Sequence, residues 1–70
     1  MEEENLEQLG AIDTNQLTEL GNRAIKLKLI AGHGFHGGQY ELLRQGEIIT
    51  LSPKEAMGYL ALLIREAESL

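Results

Sequence analysis

Apolar residues recur along the chain in three distinct rhythms. From Thr14 onward, with residues set about 100° apart, Leu17, Leu20, Ala24, Leu27 and Ala31 share one narrow stripe, while Glu19, Arg23 and Lys26 fall well away from it. This spacing predicts a helix from about Thr14 to Ala31. Gly32 would follow its last turn, where a left-handed backbone costs glycine nothing. Asp13 and Gln16 read as the capping box of that helix. A second reading of the same stretch stays open: Ile25, Lys26, Leu27, Lys28 and Leu29 alternate apolar with basic, which also describes a half-buried strand entered by a turn at Gly21-Asn22.

The second rhythm has period two. Tyr40, Leu42, Ile49 and Leu51 mark two short strands around Gln45-Gly46, a pair suited to a tight hairpin because its glycine tolerates positive φ. Leu43 and Ile48 place apolar side chains on the other face as well, and a sheet apolar on both faces needs cover on both. The third rhythm opens at Ser52, Pro53, Lys54 and Glu55, which supply an N-cap serine, a proline at the first helical position and a glutamate at the third. A helix is predicted from there to about Ser69. Ala56, Met57, Tyr59, Leu60, Leu63, Ile64, Ala67 and Leu70 cover roughly 160° of its circumference, enough to roof the hairpin. The expected fold is therefore α+β, a small helix, β-hairpin, helix (αββα) domain over residues 13–70, with residues 1–12 as an N-terminal arm.

The run from Leu43 through Arg44, Gln45, Gly46, Glu47, Ile48, Ile49, Thr50, Leu51, Ser52, Pro53 and Lys54 to Glu55 resembles the hairpin-to-helix passage of winged-helix response-regulator output domains. In that family a second helix, a DNA-reading helix and a wing would follow, whereas this chain is expected to end after one helix. The resemblance implies a local hairpin and a capped helix, and it carries over no DNA-contacting position.

Charge refines the picture. The net charge of -5 sits in the first 13 residues, where Glu2, Glu3, Glu4, Glu7 and Asp13 meet no lysine or arginine. From residue 14 onward acids and bases balance, so the domain is expected to be neutral with an acidic, solubilising arm, a poor match to the phosphates of nucleic acid. Arg23, Lys26 and Lys28 read as a solvated basic face. No apolar run approaches the ~20 residues of a membrane span, and the Glu-rich start has the opposite sign to a signal peptide, so a cytoplasmic location is expected. There is no cysteine. A domain this short removes only about 60% of its unfolded surface from water, and without disulfides a second chain, or metal binding by the two histidines, is the available reinforcement.

Candidate chemistry concentrates in Gly32, His33, Gly34, Phe35, His36, Gly37 and Gly38. His33 and His36 would ligate a metal only if two chains shared the site, since a stable site needs three or four ligands. The glycine backbone offers N–H groups to a phosphate, yet the run lacks the endings of the known phosphate loops. No serine or carboxylate stands at a recognisable spacing for a histidine base, so neither catalysis nor a cofactor is expected. The plainer reading is a connecting loop whose glycines take positive φ and whose Phe35 plugs the core between two surface histidines, replaceable without loss of fold. Tyr40 and Tyr59 read as core edges, with hydroxyls reaching water or backbone.

On the last helix Leu62 lies opposite the core arc, with Gly58 one turn before it, Ala61 beside it and Arg65 at its rim. This patch suits a crossing helix from a second copy. The sequence thus points to a small non-enzymatic interaction protein (adaptor, regulator or inhibitor) that forms a homodimer or other homo-oligomer and binds a larger protein. The alternative is a module whose Gly/His segment holds a phosphate-bearing small molecule or a metal across a subunit boundary.

Overall fold

In the computed structural model, which describes residues 14–69, the element order is helix α1 (Thr14–Lys26), strands β1 (Gly32–His36), β2 (Gln39–Arg44) and β3 (Glu47–Leu51), and helix α2 (Pro53–Glu68). The expected α+β class holds, and the hairpin gains a third strand. The sheet is antiparallel with order β1-β2-β3. Both helices lie on one face of it, where Tyr40 and Leu42 of β2 are buried with Leu17 and Ala24 of α1 and Ala56, Leu60 and Ile64 of α2. The arm, Asp13 of the expected capping box and Leu70 lie outside the described residues.

Helix α1 stops five residues short of the predicted end, and the alternative strand over 25–29 does not form. The Lys28 N–H donates to the Ile25 carbonyl at 2.9 Å and the Leu29 N–H to the Ala24 carbonyl at 2.8 Å, with Lys28 left-handed at φ 65°. This is a Schellman ending with lysine in the position glycine usually takes. A left-handed lysine costs about 1–2 kcal/mol. Continuing the helix would turn Ile30 about 220° from Leu17, out toward solvent. Ending it buries Ile30 and packs Leu29 on the core, a gain of about 1.5–3 kcal/mol for one fully buried isoleucine. Leu27 and Ala31, two members of the predicted stripe, are exposed as a result.

The start of α2 follows the sequence. The Glu55 N–H donates to Ser52 Oγ and the Ser52 N–H to Glu55 Oε1, both at 3.1 Å, with Pro53 at the first helical position. Two-residue turns close both hairpins. Gly37 and Gly38 (φ 59° and 82°) join β1 to β2, and Gln45 and Gly46 (φ 55° and 81°) join β2 to β3. Positive φ at both central residues marks type I′ turns, whose twist matches that of the strands they connect.

Candidate functional site

The Gly/His segment is a strand where a loop was expected. Gly32 to His36 pair with Leu43 to Gln39, and only Gly37 and Gly38 turn. Side chains alternate across the sheet. His33 and Phe35 therefore share the helix-facing side with Leu42 and Tyr40, while Gly32, Gly34 and His36 lie on the open side with Leu43, Glu41 and Gln39. Phe35 does not plug the core. It stays 45% exposed and meets Tyr40 edge-on, with ring centroids 4.8 Å apart at 76°, because Tyr40 of the central strand already fills that seat.

His33 is not a free surface residue either. Its half-buried ring is wedged between β2 and α1, with Nδ1 against the Tyr40 hydroxyl and Nε2 2.9 Å from Asn22 Oδ1. With the amide oxygen of Asn22 facing it, Nε2 carries the proton and Nδ1 accepts from the Tyr40 O–H. Both ring nitrogens are thereby engaged, so a metal on His33 would have to displace Tyr40 or Asn22. Among the described residues no group of three or more His, Asp or Glu is placed to hold a metal ion. The other tyrosine is likewise tied to a side chain, since Arg44 Nη1 donates to the Tyr59 hydroxyl at 2.9 Å and links β2 to α2.

Burial holds the His33 imidazole below its ordinary pKa and the Tyr40 phenol above its own. For His33 the unfolded chain binds a proton near pH ~6.5 while the folded chain still resists it. Stability from this cause is full above that pH and is lost as pH falls toward the lowered folded value. The expected result is a melting temperature that drops between pH 7.5 and 5.5, above the carboxylate range, with a shallower slope in His33→Gln. Parallel slopes for the two proteins would contradict the engaged imidazole.

On the open side, Leu43 and Ile48 are paired across β2 and β3 and are 39% and 67% exposed. Beside them the glycines of β1 leave a shallow depression of about 290 Å3, bordered by Gly32, Gly34, His36, Glu41, Leu43 and Ile48. No described element covers this face. The apolar pair on the second face was legible in the sequence. That β1 would add glycine, and so space, beside it was not.

The candidate interface on α2 is divided between two flanks. Ala61 and Arg65 border a shallow trough with Leu20, Ile64, Glu68 and Ser69, facing α1, where Arg23 pairs with Glu68. Leu62, 54% exposed, does not border that trough, and Gly58, exposed one turn before it, shares the outer face of the helix with Arg65. The Arg23 pairing also removes one base from the cluster it formed with Lys26 and Lys28.

One family description matches part of the chain: the helicase associated domain (HA2), winged-helix, is similar to residues 3–27. That span is about a third of the sequence, takes in α1 with the residues before it, and stops short of the sheet. No curated protein and no solved structure matches the chain. No helix among the described residues is long and apolar enough to cross a membrane.

Proposed function

We propose that this chain is a non-enzymatic interaction protein, a cytoplasmic adaptor, regulator or inhibitor that self-associates and occupies an apolar surface on a larger protein. The observation that carries this reading is the open sheet face, where Leu43 and Ile48 stand exposed beside the glycine-floored depression while on the opposite face the helices bury Tyr40 and Leu42. Apolar side chains clustered on an uncovered face mark protein contact more often than ligand chemistry. The charge balance from residue 14 onward supports a protein partner over nucleic acid.

Ile48→Glu tests the reading. Ile48 touches solvent over most of its surface, so the variant is expected to melt within a few degrees of the wild type and yet to lose a protein that the wild type captures from its host. A captured protein held equally by both would remove the sheet face from the proposal. The ligand alternative has less to draw on, because His33 is engaged, Gly32 and Gly34 are built into the ladder, and Gly37 and Gly38 form the tight turn. It is tested separately by thermal stability with EDTA, zinc and a panel of nucleotides, since a ligand at 100 times its Kd adds about 2.7 kcal/mol.

A further inference from the structure

The sheet has two edges, and they differ. In the hairpin closed by Gln45-Gly46, Arg44 and Glu47 form the hydrogen-bonded closing pair. Bonded and non-bonded pairs alternate along an antiparallel ladder. Leu42 with Ile49 and Tyr40 with Leu51 are therefore bonded pairs, whereas Leu43 with Ile48 and Glu41 with Thr50 are not. The N–H and C=O groups of Ile48 and Thr50 consequently point away from β2, toward the free edge of β3. No backbone hydrogen bond to another described segment engages them.

Edges of this kind are usually blunted by lysine, proline or a bulge, or covered. Strand β3 carries three β-branched residues in succession, Ile48, Ile49 and Thr50, with one charge, Glu47, at its first position. Strand β1, the opposite edge, alternates two glycines with His33 and Phe35 and is a much weaker template.

We infer that a second copy of this chain adds edge to edge along β3, antiparallel and centred on Ile49. The inference rests on the self-association reading above and names its seam. In this register each Ile48 faces the partner's Thr50, the two residues whose free groups point outward, and each such pair exchanges both of its backbone hydrogen bonds. Shifting by one residue would set outward groups against groups already bonded to β2. Shifting by two would leave an outward residue of each strand facing Gly46 or Ser52, beyond the end of the other strand. Across the seam Ile49 meets the partner's Ile49 and Glu47 meets the partner's Leu51, so no like charges face one another. β-branched cross-strand pairs of this kind each contribute a few tenths to 1 kcal/mol.

The two-fold axis of such a pair stands perpendicular to the sheet, with two consequences. Both open faces lie on the same side, so the rows built on Leu43 and Ile48 join into one surface twice as wide for the larger partner. On the other side α2, which packs over β2 and β3 while α1 packs over β1, becomes the neighbour of the partner's α2. Leu62 stands on the flank of α2 turned away from α1, the flank that the partner approaches. Glu55 and Glu66 border it, so the seam is held by the strand and by Leu62 and not by charge.

Sedimentation of the full chain at micromolar concentration, with amide hydrogen exchange, tests this. The wild type is expected to be a dimer whose Ile48 and Thr50 amides are protected and lose protection on dilution. Thr50→Pro removes an outward N–H at an edge position that tolerates proline. It is expected to weaken dimerisation at least tenfold with an unchanged circular dichroism spectrum. Ile48→Lys, which introduces the usual edge-blocking charge without altering the backbone, should do the same and guards against a local effect of proline. A dimer that survives both variants, with freely exchanging Ile48 and Thr50 amides, overturns the β3 seam and leaves self-association standing. A wild type that sediments as a 7.7 kDa monomer overturns self-association and the seam together.

Discussion

Leu60→Glu is expected to yield a chain with no cooperative melting transition and a largely lost helical circular dichroism signal. Leu60 is 0% exposed and sits among Leu17, Tyr40, Leu42, Ala56 and Ile64, where α2 meets both the sheet and α1. Truncating such a leucine to alanine already costs about 2–5 kcal/mol. Glutamate adds the desolvation of a carboxyl group that has no partner there, whether it stays charged or takes a proton. At about 0.05–0.15 kcal/mol per residue the whole domain has roughly 3.5–10 kcal/mol to lose. Leu62→Glu, two residues on and on the outer flank, is the control and should keep the fold. A Leu60→Glu chain with a wild-type spectrum and melting curve would mean that the core face of α2 is misassigned.

The contrast between Leu60 and Leu62 could be read from spacing alone, and so could the start of α2, because caps and amphipathic stripes are written in consecutive residues. The Gln45-Gly46 hairpin was legible for the same reason. Strand β1 was not. Its two glycines, together with Gly37 and Gly38, look like loop composition, and glycine's weak strand preference outweighed a true period of two, Gly32 and Gly34 against His33 and Phe35. The Gly37-Gly38 dipeptide, one of the favoured type I′ pairs, was the signal that could have exposed it. The end of α1 was misplaced because the left-handed residue is Lys28, and only the burial of Ile30 explains a lysine there. The link from His33 to Asn22 and Tyr40 joins three elements, and no local spacing announces a contact of that kind.

The same link sets the sign of the last prediction. Glycine inside a helix is about 1 kcal/mol worse than alanine, so Gly21→Ala in α1 would ordinarily stabilise the protein. Here Gly21 is buried, and a Cβ built on it would lie 2.5 Å from His33 Nδ1, 2.6 Å from Cε1 and 2.7 Å from Cγ. Real side chains do not approach that closely. The imidazole is held by Asn22 on one side and the Tyr40 hydroxyl on the other, so it cannot swing aside without leaving a buried hydroxyl unpaired. Overpacking of this kind costs about 1–3 kcal/mol, which exceeds the helix gain over most of that range. Gly21→Ala is therefore expected to lower the urea midpoint of the wild type. In a His33→Ser background the ring is gone, and the same substitution should raise the midpoint, up to the full propensity gain. That reversal is the coupling between the two positions, read as a double-mutant cycle. Stabilisation by Gly21→Ala in both backgrounds would show that the imidazole does not occupy the space above Gly21.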